Sequence, residues 1–333
     1  MILRTLLLAS ALAIGRQGLA AMIELTPDIT DETSIDLAVL VDGQSRCSLK
    51  REVVEAHAAS RVQSNCRFEL PETARSLVVR GEYKIARNAV RKGEQTVALV
   101  DFAPVSAHLL QTGKPYGERM ADFITATNAF AQRHKGGSDI APGKPVDAAA
   151  IDAARTRLGY ALPADWVSLQ KRVGAIGIGD HHMTPVGELT DSYTFMRRNW
   201  GTPEAAMQAE YSPRMQEFLK TSTLLFTEVG DGLGGLLFRP PPTKACGDRG
   251  TYYWTSQEGG SVDLSKDGAC ADFAEAFRWV LEGFLISDLA DKLQDEEGAL
   301  LIDSSTGLQH VRLRLESSGN FKLGFERRGQ SPQ

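Results

Sequence analysis

Ile151-Asp152-Ala153-Ala154-Arg155-Thr156-Arg157-Leu158-Gly159-Tyr160-Ala161-Leu162-Pro163-Ala164-Asp165-Trp166 is the stretch that decides the reading of the fold. Ile151, Ala154 and Leu158 recur at helical spacing, which predicts a short amphipathic helix, and Gly159 supplies its stop. Leu162-Pro163 restarts the chain, because proline suits the first turn of a helix, and Asp165-Trp166-Val167-Ser168-Leu169 continues it. Downstream segments extend the pattern. Pro185-Val186-Gly187-Glu188-Leu189 comes first. Leu224-Leu225-Phe226 precedes Gly230-Asp231-Gly232-Leu233-Gly234-Gly235, and then comes Tyr252-Tyr253-Trp254. Asp272-Phe273-Ala274-Glu275-Ala276-Phe277 opens another helix, with Asp272 and Glu275 spaced as a capping box. Its apolar face is Phe273, Phe277, Val280, Leu281 and Phe284, and Ser287 to Leu293 reads as a further helical segment.

This order of helix, helix, strands and helix, over roughly residues 148–290, resembles the SUKH superfamily (the Smi/Knr-like fold). Its members are mostly immunity proteins that bind and neutralise a cognate toxin. The resemblance implies an α+β domain, a protein partner, and no catalytic residues to carry over. Two features depart from it: a long helical insert between Leu189 and Leu224, and a pair of cysteines.

The N-terminus reads as a secretory signal. Arg4 is followed by an apolar run from Thr5 to Gly15 and by the small residues Gly18-Leu19-Ala20-Ala21. The run is too short to span a bilayer, and cleavage is expected after Ala20 or Ala21, with an uncleaved anchor as the alternative. The cysteines agree with export. Cys47, Cys66, Cys246 and Cys270 allow three pairings, and proximity along the chain favours Cys47–Cys66 and Cys246–Cys270. None has the close spacing of a zinc knuckle.

Residues 22–135 read as a β-rich domain. Ser34 to Val41, Ser76 to Ile85 and Thr96 to Phe102 are strand-like, Asp42-Gly43 and Lys92-Gly93-Glu94 mark turns, and Leu49 to Val62 reads as a short helix. A helix over Gly117 to His134, with Met120, Phe123, Ile124, Thr127, Phe130 and Ala131 on one face, is expected to close that domain. Residues 136–147, rich in glycine and proline, read as a linker. In the second half, Pro203 to Thr221 is expected to be helical. Beyond residue 290, Leu300-Leu301-Ile302 leads to a β-hairpin, with His310 to Leu315 and Asn320 to Phe325 as its arms. The fold class is therefore α+β: residues 1–21 signal, 22–135 β-rich, 136–147 linker, 148–290 SUKH-like, and 291–333 a helix and hairpin extension.

A net charge of −5 argues against a nucleic-acid footprint, which needs a basic face. Asp180-His181-His182-Met183 places two imidazoles on opposite sides of a strand, so a surface or structural role is favoured over a metal site. The Gly230 to Gly235 run lacks a following helix and reads as a turn between strands rather than a phosphate loop. Glu188, Glu228, Asp231 and Glu258 are conceivable acid–base pairs, with solvated surface as their default role. Trp166, Trp200, Trp254, Trp279, Tyr252 and Tyr253 belong mainly to the core, and any left at the surface would anchor an interface. No cofactor or metal is expected.

The expected function is that of a periplasmic or secreted non-enzymatic binding protein. It would occlude an envelope-acting toxin with Glu188, Trp200, Asp231, Tyr252 and Glu258, in a concave region near Pro185 to Leu189 and the Gly230 loop. An envelope scaffold and an exported hydrolase are the alternatives. No membrane span is expected after signal cleavage.

Overall fold

The computed structural model describes residues 21–28, 33–52, 62–63, 66–85, 88–134, 139–199, 201, 203–210, 212–228, 234–240, 246, 249–255, 261–265, 270–306, 308–316 and 320–325. Residues 1–21, expected to be a signal, thus lie outside the described residues except Ala21. Along the chain come strands β1 (Ala21–Asp28), β2 (Thr33–Val41), β3 (Gln44–Arg51), β4 (Val62–Gln63), β5 (Cys66–Leu70), β6 (Ser76–Ile85) and β7 (Arg91–Asp101). Helices α1 (Ala103–Ser106) and α2 (Tyr116–Arg133), strand β8 (Ile140–Ala141), helices α3 (Ala148–Leu158) and α4 (Ala164–Arg172), and strands β9 (Gly177–Ile178) and β10 (His181–Met183) come after them. Next are α5 (Ser192–Asn199), α6 (Glu204–Glu210), α7 (Pro213–Lys220), β11 (Thr223–Glu228), β12 (Gly234–Arg239), β13 (Thr251–Thr255) and β14 (Ser261–Asp263). Helix α8 (Phe273–Val280) runs through a π-helical turn, Leu281–Ile286, into α9 (Ser287–Glu297), and β15 (Ala299–Ile302), β16 (Leu308–Leu315) and β17 (Phe321–Phe325) end the description. The fold is mixed α+β.

Alternation builds the first half. In β1, Ala21, Ile23, Leu25 and Pro27 point inward, and the same period recurs in β2, β5 and β6. The Asp42-Gly43 turn joins β2 to β3 with φ of 47° and 79°, the left-handed pair that a tight hairpin needs. The Asp42 carboxylate accepts bonds from the backbone N–H of Arg75 and Ser76 and from the Ser76 hydroxyl. The Arg75 and Ser76 bonds hold it below the usual carboxylate range against the opposing cost of desolvation. Lys92-Gly93-Glu94 is not a turn: Gly93 pairs with Gly81 inside the β6–β7 ladder. Of the helix expected over Leu49 to Val62, Leu49 to Arg51 belong to β3 and residues 53–61 lie outside the described residues.

The C-terminal segment finishes this half. The hairpin of β16 and β17 forms as expected, but β16 also pairs in parallel with β1, while β15 pairs in parallel with β7. The result is a sandwich of two sheets, ordered β17-β16-β1-β5 and β15-β7-β6-β2-β3-β4. Ile23, Leu25, Leu37, Val39, Leu77 and Val79 meet Leu300, Ile302, Val311, Leu313, Phe321 and Leu323 in one core. Helix α9 lies against β15 and β17, so it covers the side where these two edge strands meet.

Both disulfides have the pairing expected from proximity, Cys47–Cys66 and Cys246–Cys270. The first joins β3 of one sheet to β5 of the other. It spans 19 residues, a loop for which chain entropy predicts about 3 kcal/mol. A Cys47→Ala/Cys66→Ala double variant is expected to lose about 2–4 kcal/mol in denaturant unfolding. A loss below about 0.5 kcal/mol would mean that the two sheets hold their spacing without the bridge.

The second half is a seven-stranded sheet, β14-β13-β12-β11-β10-β9-β8. Helices α2, α4 and α8 cover one face, and part of the other is covered by α5 and α7, where Phe195 and Phe218 meet Leu224, Leu237 and Tyr253. Asp147 caps α3 by accepting from Ala150 N–H at 2.7 Å, and Gly159 ends it in the left-handed conformation. The single helix expected over Pro203 to Thr221 is two. Ser212-Pro213 starts a fresh first turn, with the Ser212 hydroxyl accepting from Met215 N–H.

Two further expectations are corrected. Helix α2 does not close the β-rich half; Met120, Phe123 and Ile124 bury against the helical layer of the second half, and the Tyr116 ring meets Phe273 edge-on at 5.9 Å. The described part of the expected linker, from Asp139 onward, is packed structure: Ile140 and Ala141 form edge strand β8, and Val146 N–H donates to Gln170 O. Gly143 and Gly174 belong to this packing. A Cβ on Gly174 would stand 2.1 Å from Lys144 O, and one on Gly143 2.3 Å from Ala175 O. Glycine here serves close approach rather than flexibility.

Candidate protein-binding surface

Strand direction places the candidate residues. Met183 pairs with Phe226 and Asp191 with Thr223, so the Pro185 to Leu189 segment lies beside the start of β11. Glu228, Gly234 and Thr255 lie at the opposite end of the sheet, as does His181. A six-residue strand such as β11 separates its two ends by about 17–20 Å. The Gly230 loop of the expected concave region, residues 229–233, lies outside the described residues; the strand ends that flank it, Glu228 and Gly234, lie at the end of the sheet opposite Pro185 to Leu189. Glu188 and Glu228 are separated in the same way.

Glu188 itself is exposed, on a single 3-10 turn, Val186–Glu188. Arg157 of α3 fixes this turn, donating from Nε to Leu189 O and from Nη2 to Val186 O, each at 2.9 Å. Tyr252 is not a surface anchor. It is fully buried between Phe238 and Phe273, at 5.4 and 6.4 Å, and burial pushes its phenol far above the ordinary value. The cause is strand alternation: Tyr252 and Trp254 face the helices, while Tyr253 faces Phe218 on the other side. Trp200, Asp231 and Glu258 lie outside the described residues.

At the His181 end the structure gathers a different set. Trp254 of β13 touches Trp279 of α8 at 5.2 Å and Phe284 of the π turn at 5.0 Å. The His181 ring meets Phe284 at 4.7 Å, nearly edge to face. Trp254 is buried, whereas Trp279, Phe284 and His181 are each partly exposed. His182, on the opposite side of β10, is exposed. Among the described residues no group of three His, Cys, Asp or Glu side chains is placed to hold a metal ion.

The π turn explains why Phe284 is half open when its spacing from Phe277 predicts burial. One extra residue per turn rotates all later positions by about 100°. Leu285, Leu289 and Leu293 then continue the buried line that Phe273, Phe277 and Leu281 began. Glu282, within the same turn, is nearly buried and accepts from Arg278 Nε at 3.0 Å. Asp272 stands at the N-cap of α8 but makes no capping bond through its carboxylate, so the expected capping box is absent.

No family model, curated protein or solved structure matches this chain. The surface must be understood from its own chemistry. Its three partly open rings are held by a buried tryptophan, a packed helix and a paired strand, which presents them with little conformational freedom left to lose on contact. Trp279 and Phe284 each touch Trp254 and His181 touches Phe284, so the rings form one connected platform. Sequence reasoning named Trp254 and Trp279 separately and placed Phe284 in the core. The signals for the cluster were Gly283, a poor helix former in mid-helix, and the shift of apolar spacing after Leu281.

Proposed function

We propose that this protein is a non-enzymatic, exported binding protein that neutralises an envelope-acting protein toxin by covering it. The platform of Trp279, Phe284 and His181 over Trp254 carries this reading. Aromatic groups partly open to solvent and rigidly supported are the side chains that dominate association energies. Rings joined through Trp254 in one connected cluster suit a protein surface better than a small ligand, which needs an enclosing pocket. The run of α3 and α4, then strands β9 to β14, then α8 keeps the order that suggested the SUKH resemblance, and this supports the same reading. The two disulfides are compatible with export. Among the described residues no helix is long and apolar enough to cross a membrane.

The test is recovery of the tagged protein from the periplasm of its host, with mass spectrometry of what accompanies it. A stoichiometric effector whose activity falls on titration with the purified protein is the expected result. Recovery of envelope structural proteins alone overturns the toxin reading in favour of a scaffold. The scaffold reading cannot be tested by deleting residues 307–333, because the hairpin belongs to the sandwich core.

A further inference from the structure

We infer that the partner docks at the His181 end of the seven-stranded sheet and presents a basic surface around an apolar anchor. This rests on the binding reading above and names the face and the chemistry of the partner. The anchor comes from the platform: Trp279 and Phe284 offer apolar ring surface, with Val262 partly buried in the same core beside Trp254.

The charge comes from what borders it. Asp180 is exposed, next to His181 in the chain. Glu228 ends β11 opposite His181, and Glu275 is exposed one helical turn before Trp279. Among the described residues, Arg278 and Lys292 are cations near the rings, and both are engaged by carboxylates. Arg278 is bonded to Glu282 at 3.0 Å, and Lys292 pairs with Asp139 at 2.7 Å and Asp288 at 2.9 Å. Asp139 is tied to the β9–β10 turn, since its carbonyl accepts from Gly179 N–H. Among the described residues, with Asp180 and Glu275 exposed, acidic groups thus outnumber cations around the rings. An opposing basic surface would be steered to this end, whereas an acidic one would be repelled. The Glu188 turn lies at the other end of the sheet, where Tyr160 is a partly exposed ring against the buried Phe238.

The experiment places a photo-cross-linking benzophenone side chain at position 180 or at position 188 of the full exported chain in its host. Adducts are identified by mass spectrometry. The identified protein is then purified, and its affinity is measured for the unaltered chain and for Trp279→Ala, Trp279→Phe and Asp180→Lys, at low and high salt. The expected result is an adduct from position 180 and none from 188. Trp279→Ala should weaken binding by about 30-fold or more. Asp180→Lys should slow association several-fold at low salt, roughly the weight of one rim charge, with the difference fading at high salt. Trp279→Phe keeps a ring over Trp254 and separates loss of contact from loss of folding, and Asp180→Lys sits at an exposed position where folding is not at stake. An adduct from 188 alone, or faster association of the Asp180→Lys variant, overturns this inference and leaves the binding reading standing. No adduct from either position overturns both.

Discussion

Removing residues 299–333 is expected to unfold the N-terminal sandwich rather than to trim a tail. The truncation strips β15 from one sheet and both β16 and β17 from the other, and it uncovers β7 and β1, whose partners are β15 and β16. It also removes Leu300, Ile302, Val311, Leu313, Phe321 and Leu323, all buried in the shared core. Fully burying six apolar side chains stabilises by roughly 9–18 kcal/mol, as much as the whole stability of an ordinary domain, about 5–15 kcal/mol. Limited proteolysis should cleave the truncated chain within residues 22–101, and the cooperative unfolding of that half should vanish. A truncated chain that resists protease and still melts cooperatively would show that β1 to β7 suffice. The point variant Leu313→Ala provides a graded version, expected to cost about 3–5 kcal/mol.

Asp303→Ala is expected to cost about 2–4 kcal/mol, a large effect for one polar side chain. Asp303 is only 2 % exposed and lies between β15 and β16. Its carboxylate accepts from the Ser106 hydroxyl at 2.5 Å, and from the Ser305 backbone N–H at 3.0 Å and hydroxyl at 2.5 Å. Its own N–H donates to Gln309 Oε1, and Gln309 Nε2 donates to Leu301 O at 2.7 Å. Removing the carboxylate leaves the buried Ser106 hydroxyl of α1 and the partly buried Ser305 hydroxyl after β15 without their acceptor, which is where the cost arises. Asp303→Asn keeps the shape and one acceptor oxygen, so it should lose about half as much. Denaturant midpoints at constant m-value measure both, and equal stability of all three proteins would refute the network's role.

How much of this was legible before the structure depends on the range of the interaction. The turn at Asp42-Gly43, the terminal hairpin and both disulfides join neighbours in the chain, and local chemistry announced each of them. The parallel pairing of β1 with β16 joins residues at opposite ends of the sequence, and parallel pairs leave no turn signature. For α2, the stripe of Met120, Phe123 and Ile124 announced a buried face but not what would cover it. Gly143 was misleading because glycine marks flexible chain and tight backbone contact alike. At the candidate site, alternation along Tyr252-Tyr253-Trp254 is plain in the sequence. Which parity faces the helices is a matter of register, and that depends on the packing of α8.

The partnership of β1 with β16 also sets a schedule. Met22 pairs with Leu308 and Asp28 with Arg314, so β1 must wait for a neighbour made about 286 residues later. At ribosomal speeds of about 5–20 residues per second, the interval is roughly 15–55 s, long against the time in which local hairpins form. Throughout it, the apolar face of Ile23 and Leu25 has β5 alone beside it in its sheet. A chain threaded outward from its N-terminus would therefore deliver an adhesive, half-made sheet ahead of the segment that completes it. Its safe maturation depends on whatever shields that sheet until the last strands arrive.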